Sequence, residues 1–141
     1  MVIIINRQRQ KKVNHESWRG FAAQALAALD KTEHNATIVL LSDAAIRKLN
    51  RKFRGKNYPT DVLSFPAVAE PFETGDRDNL GEVIISVERA AGQAKQNRLS
   101  LDEEVKRLIL HGLLHLSGYD HETDDGEMNR LELKLRRRLG I

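Results

Sequence analysis

Four short runs of aliphatic and β-branched residues have the length of buried β-strands. They lie at residues 2–5, 37–41, 62–65 and 83–85. Apolar runs of about four to eight residues, bounded by polar or turn-forming residues, are typical of strands inside a sheet. The pattern therefore predicts about four strands.

Apolar residues at helical spacing fill the intervals between these runs. A first helix is predicted between the first two strands, with its apolar face formed by Trp18, Phe21, Ala22, Ala25, Leu26 and Leu29. Ser42 is suited to cap a second helix. The buried face of that helix is predicted to contain Ile46, Leu49 and Phe53. Ser86 is suited to cap a third, alanine-rich helix.

The fourth predicted helix has clear start and stop signals. Ser100 followed by Glu103 matches a capping box, and Gly118 is suited to end the helix because glycine tolerates the left-handed conformation. A fifth helix is predicted from about Asp124 to Gly140, and residues 67–79 are predicted to form a loop. The chain is thus expected to have an α/β fold of the α+β type, with a small mixed β-sheet of about four strands packed with about five helices.

Composition narrows the class of protein. A length of 141 residues, 40% of them hydrophobic, suffices for a core without disulfides, so we expect a single domain over residues 1–141. Cysteine is absent, so any transition-metal site must use His, Asp or Glu. No apolar run has the length of a signal-peptide core or a membrane span, so we expect a cytoplasmic protein with no membrane partner.

Charge is distributed unevenly along the chain. Residues 47–56 contain six basic residues and no acid, although the net charge is only +3. Residues 70–82 contain five acids and one base, and residues 120–127 form a second acidic cluster. The basic segment fits either a solvated helix face or a surface that binds a polyanion.

Three histidines lie in the stretch LILHGLLHLSGYDHE, residues 108–122. His111 and His115 are four residues apart and would share one face of a helix, while His121 follows Gly118 and can fold back toward them. Burying uncompensated imidazoles among leucines is costly, which argues against coincidence. Three imidazoles that leave a fourth tetrahedral position open are typical of catalytic zinc.

The spacing of these histidines is also that of metzincin metalloproteases. In those enzymes the first histidine is followed by a glutamate that serves as the general base, and here that position is Gly112. Glycine cannot accept a proton, so the spacing favours a metal but argues against peptidase chemistry.

Three motifs together resemble a known family. HGLLHLSGYDH, FRGKNYPTDVLSFP and LGEVIIS are similar to those of the YbeY family of bacterial zinc-dependent endoribonucleases. The resemblance implies that His111, His115 and His121 bind one Zn²⁺ per chain and that Arg54 is a catalytic residue. It also implies single-strand-specific cleavage of ribosomal RNA in the cytoplasm, in small-subunit 3′-end maturation and ribosome quality control. The implied partners are ribosomal RNA and the small ribosomal subunit with its assembly proteins.

Neighbouring residues suggest supporting roles, and two other functions stay open. Arg51, Lys52 and Lys56 flank Arg54 and are expected to steer RNA to the site. Asp61 and Asp120 are expected either to orient a ligand histidine or accept a proton, or only to stabilise their loops. The alternatives are a metal-containing ribosome-assembly factor without intrinsic cleavage and a zinc metallopeptidase.

Overall fold

Four strands and five helices make up most of the described chain. The computed structural model describes residues 1–67 and 78–141. The elements in chain order are β1 (Val2–Asn6), α1 (His15–Ala28), β2 (Asn35–Leu41), α2 (Asp43–Arg54), β3 (Val62–Pro66), β4 (Asn79–Ser86), α3 (Val87–Asn97), α4 (Leu101–Leu116) and α5 (Glu127–Leu139). The predicted fold class is confirmed. Most of the segment predicted to be a loop, residues 67–79, lies outside the described residues, and its last residue begins β4.

The strands form one mixed sheet in the order β1-β2-β4-β3. β1 pairs with β2 and β2 with β4 in parallel, whereas β3 pairs with β4 in antiparallel orientation. β1 and β3 are therefore the two edges of the sheet, and β3 has one hydrogen-bonding edge that no other described strand covers.

The two faces of the sheet are covered by different helices. Because side chains alternate along a strand, Val83 and Ile85 point into the main core with α1, α4 and α5, while Ile84 points the other way. On that second face Ile84 packs with Leu63 and with Ile46 of α2 in a smaller cluster. The helix with the histidines and the helix with Arg54 thus lie on opposite sides of the sheet.

Helix α2 departs from the prediction in its last turn. Ser42 caps the helix as predicted, since its hydroxyl accepts a hydrogen bond from Ala45 N, and Ile46 is fully buried. The prediction that Phe53 is buried is wrong, because 56% of this residue is exposed. The small apolar cluster ends before the last turn of α2, and only the ring of Phe65 stacks edge-on against Phe53.

Side chains before α4 and α5 bond to backbone N–H groups where the two helices begin. The Ser100 hydroxyl accepts from Glu103 N, which confirms the predicted start of α4. Helix α5 begins at Glu127, three residues later than expected. The reason is that Asp124 lies outside the helix, where its carboxylate accepts hydrogen bonds from the backbone N–H groups of Gly126 and Met128.

Helix α4 lies unusually close to β4 at Gly112. A Cβ atom at this position would lie only 2.5 Å from Cγ1 of Val83, a fully buried residue. Only glycine permits this separation between helix and strand. Among the described residues, no helix is long and apolar enough to cross a membrane.

Candidate metal centre

The three predicted ligands come together at the C-terminal end of α4. The Nε2 atoms of His111 and His115 lie 3.2 Å apart, and one donor atom from each of the three histidines, His121 included, lies within 4.8 Å of the others. The chain leaves α4 through Gly118, whose φ of +99° is in the left-handed region, as predicted from its position. This turn brings His121 back toward the other two rings.

Two hydrogen bonds fix the protonation of the ring nitrogens. Nδ1 of His111 lies 2.9 Å from Oε1 of Glu132, and Nδ1 of His115 lies 3.0 Å from the carbonyl oxygen of Tyr119. A carboxylate and a carbonyl only accept hydrogen bonds, so both Nδ1 atoms donate, and in the neutral form of each ring the lone pair is on Nε2.

The distance between the two Nε2 atoms fits a bound cation. Two nitrogens 3.2 Å apart, both with lone pairs, repel unless a proton or a metal ion lies between them. Nitrogens bonded to tetrahedral zinc at about 2.0 Å are roughly 3.3 Å apart, close to the observed separation. The donor set and its spacing therefore suit a transition metal with three imidazole ligands.

The Tyr119 carbonyl is positioned by the end of the helix. Tyr119 N donates to Leu114 O at 3.1 Å, and Gly118 N donates to His115 O at 3.0 Å. These bonds wind the chain tightly around the last turn of α4 and direct the Tyr119 carbonyl at the ring of His115. The turn at Gly118 thus allows both the hydrogen bond between His115 and the Tyr119 carbonyl and the return of the chain to His121.

Glu132, on α5, was not predicted from the sequence. The residue is 7% exposed and contacts His111 across 21 positions of the chain. Burial alone would raise the pKa of this carboxyl, but the hydrogen bond from His111 and the charges of His111 and Arg136 outweigh burial, so the pKa lies below its ordinary value. A signal did exist, because Glu132 is a carboxylate on the apolar stripe between Met128 and Leu135.

His115 is in an environment that favours the neutral ring. Burial and the nearby charge of His111 lower its pKa below the ordinary value of 6.5, although the hydrogen bond to Tyr119 acts in the opposite direction. A neutral imidazole is the form that binds metal ions.

A cavity of about 530 Å³ opens in front of the histidines. One wall is the uncovered edge of β3, and the other is the end of α4 with the loop after it. Arg54 reaches this cavity over the edge of β3, where its Nη2 donates to Ser64 O at 3.1 Å. Asp61 and Asp120 also line the cavity, whereas Arg51, Lys52 and Lys56 lie exposed outside it.

The two aspartates have backbone and amide partners rather than histidines. Asp61 accepts from Val62 N at 2.8 Å and from the Gln93 amide at 3.2 Å. Asp120 accepts from Glu122 N at 3.0 Å. Among the described hydrogen bonds, the rings of His111 and His115 are instead oriented by Glu132 and the Tyr119 carbonyl.

Comparison with known proteins assigns the chain to a family. The sequence profile described as endoribonuclease YbeY matches residues 3–140. The chain belongs to the endoribonuclease YbeY family. Two relatives named endoribonuclease YbeY come from Anaeromyxobacter sp. (strain Fw109-5) and Aquifex aeolicus. The first is 46% identical over 122 residues, or 85% of this chain and 62% of the relative. The second is 43% identical over 124 residues, or 88% of this chain and 81% of the relative.

The fold also has a solved counterpart. The solution structure of TM1509 from Thermotoga maritima matches with a TM-score of 0.62 and 27% sequence identity, covering 99% of this chain and 89% of that one. The match spans the sheet and all five helices. The family match and the structural match thus both extend over nearly the whole chain.

Proposed function

We propose that residues 1–141 act as a single metal-dependent hydrolase domain that cleaves single-stranded ribosomal RNA. The observation that carries the proposal is the convergence of His111, His115 and His121 on a cavity that Arg54 also lines. Membership of the endoribonuclease YbeY family supports RNA as the substrate. We place the activity in the cytoplasm, in 3′-end maturation of the small-subunit RNA and in ribosome quality control, with the small subunit and its assembly proteins as partners.

The proposed cofactor is one Zn²⁺ ion held by the three histidines. Three imidazole nitrogens within 4.8 Å of one another, with no fourth protein ligand among the described residues, would leave a coordination position open for water or substrate. Zinc in such a shell would act as a Lewis acid and lower the pKa of bound water to about 7. Glu132 and Tyr119 hold two of the rings in the required tautomer.

Arg54 is the proposed catalytic residue. Its guanidinium lines the same cavity as the histidines and is anchored by the hydrogen bond to Ser64 O. Its remaining N–H groups can bind a phosphate in a bidentate manner and offset the negative charge that develops as the phosphodiester bond breaks.

The basic segment around Arg54 is proposed to attract the RNA strand. Arg51, Lys52 and Lys56 are exposed and lie outside the cavity lining, so they act on the approach of RNA rather than on its cleavage. Cations of this kind raise affinity for the phosphate backbone in a salt-dependent way.

A peptidase function has less support from the structure. Gly112 cannot act as a base, and its missing side chain would point at Val83 in the sheet. The site therefore has neither the general base of the metzincin motif nor space for it at this position.

The proposal can be tested with two variants and a matched control. Wild type, His115→Ala, Arg54→Ala and His15→Ala are purified identically and compared in single-turnover cleavage of a defined ribosomal RNA fragment, with zinc content measured on each sample. His15 is exposed at the start of α1 and serves as the control. We expect wild type and His15→Ala to bind one zinc and cut RNA, His115→Ala to lose both properties, and Arg54→Ala to keep zinc but lose cleavage.

Two results would overturn the proposal. If His115→Ala cut RNA at the wild-type rate, the cleavage would come from a contaminant or from another site. If wild type bound zinc and RNA without cutting, the chain would be a metal-containing assembly factor.

A further inference from the structure

An exposed aromatic ring lies within the basic segment of residues 47–56. Phe53 is 56% exposed in the last turn of α2, within the segment of six basic residues at 47–56. The ammonium group of Lys52 lies 5.2 Å from the centre of the Phe53 ring. An exposed phenyl group beside a cation offers a surface on which a nucleic-acid base can stack.

The ring of Phe53 is held in place from one side. It packs edge-on against Phe65, with ring centres 5.4 Å apart and planes inclined by 67°. Phe65 in turn packs against the small cluster of Ile46, Leu63 and Ile84 beneath α2. Because the pair is anchored to the sheet, a ligand that stacks on it would pay little conformational entropy to order the rings.

The aromatic pair adjoins the metal cavity through Arg54. The guanidinium carbon of Arg54 lies 5.9 Å from the centre of the Phe65 ring, and Arg54 also lines the cavity of the three histidines. Phe53 precedes Arg54 directly in the chain. A strand of RNA with a phosphate at Arg54 would therefore have its neighbouring base within reach of these rings.

We propose that Phe53 and Phe65 form a stacking platform for an unpaired base next to the phosphate bound at Arg54. The inference rests on the proposed function and specifies how the strand is held. Positive charge beside exposed aromatic rings is the combination by which proteins bind single-stranded nucleic acids. The bases of a duplex are already stacked on each other, so the platform selects single-stranded RNA.

A tryptophan at position 53 reports directly on stacking. Trp18 is the only tryptophan in the chain and is 2% exposed, so the fluorescence change of Phe53→Trp on binding comes from the new residue. The zinc-loaded variant is titrated with a short single-stranded oligoribonucleotide, the same strand in a duplex, and a base-free sugar–phosphate chain of equal length. We expect quenching by the single strand alone.

Removal of the ring gives the affinity that it contributes. Phe53→Ala should weaken binding of the single-stranded oligoribonucleotide roughly 5- to 100-fold, the range found for base–aromatic stacking. The salt dependence of RNA binding should be the same for Phe53→Ala as for wild type, because the substitution removes no positive charge. Ile3→Ala is the control, since Ile3 is 47% exposed on β1 at the opposite edge of the sheet, and it should bind like wild type.

The outcomes separate this inference from the proposed function. Equal quenching by the base-free chain, or wild-type affinity of Phe53→Ala, would overturn the platform while zinc-dependent cleavage by wild type still stood. Loss of cleavage in His115→Ala with retained quenching of Phe53→Trp would support both proposals. If wild type neither bound nor cut the single strand, both proposals would fail.

Discussion

The Nδ1 atom of His111 and the Oε1 atom of Glu132 lie 2.9 Å apart and connect α4 to α5 at the candidate metal centre. Glu132 is buried and ionised, because the bond from His111 and the charge of Arg136 keep its pKa below the ordinary value despite burial. The C-terminal helix is therefore part of the site, although it supplies none of the three histidines.

Removing this carboxylate should weaken metal binding without removing a ligand. Partners that orient a metal-bound histidine typically contribute about 10- to 100-fold in affinity, so Glu132→Ala should lose zinc to a competing chelator at correspondingly lower chelator concentration. Glu132→Gln should lose less, because its amide oxygen still accepts from Nδ1 of His111. The exposed Glu16 on α1 provides a control as Glu16→Gln. Wild-type zinc affinity in Glu132→Ala would contradict a positioning role.

Arg54 should depend on the shape of its head group as well as on its charge. Arg54→Lys keeps the positive charge but loses the planar fork that can bind Ser64 O and a phosphate at once. We expect the single-turnover cleavage rate to fall by roughly 100-fold or more, as for loss of one donor to a developing oxyanion. Arg51→Lys, one turn earlier and outside the cavity, should cut at nearly the wild-type rate. Similar cleavage rates for both variants would mean that Arg54 contributes only its positive charge.

The glycine in α4 should tolerate no side chain. Gly112→Ala places a methyl group 2.5 Å from Val83 Cγ1, and overpacking of this kind costs about 1–3 kcal/mol, more than the helix propensity gained. The control is Gly20→Ala in α1, where a Cβ meets nothing within 4 Å, and this change should stabilise by about 0.5–1 kcal/mol. Urea unfolding measures both free energies. The loss of stability caused by Gly112→Ala should be smaller when Val83 is also replaced by alanine. An equal loss in that background would mean that the strain does not arise from contact with Val83.

Asp124 should stabilise the fold only while it is ionised. Its pKa lies below the ordinary value of 3.8 because the N–H groups of Met128 and Gly126 donate to the carboxylate. A lowered folded-state pKa means that the stabilisation is present above pH 3.8 and is lost as the pH falls through the folded-state pKa. Asp124→Ala should thus be less stable than wild type at pH 7, with the difference in melting temperature shrinking in acid. Asp125→Ala, at an exposed neighbour, should show no such trend.

The cluster of three histidines could be predicted from the sequence because its geometry is local. His111 and His115 share a helix face by spacing alone, and Gly118 supplies the turn that returns His121. Glu132 could not be assigned to His111 in the same way. Its contact depends on how α5 packs against α4, which no local spacing determines. Hydrophobicity predicts a strand only over residues 83–85. The backbone of β4 nevertheless pairs with β2 from Asn79 onward.

Phe53 shows a second limit of predicting burial from the spacing of apolar residues. Its spacing from Ile46 places it on the apolar stripe of α2, but a stripe does not reveal where the underlying sheet ends. Asp61 and Asp120 both line the cavity, but their hydrogen bonds in the structure go to groups other than the histidines. Contacts across elements, rather than the elements themselves, were beyond sequence reasoning.

The close packing of Gly112 on Val83 limits how mutation could turn this histidine motif into a peptidase site. A single substitution that introduced the proteases' glutamate at position 112 would force the side chain into the sheet before it could serve as a base. A peptidase could arise from this scaffold only if Val83 or the helix position changed as well. The two chemistries share a histidine spacing, yet the packing of one helix on one strand keeps them more than one mutation apart.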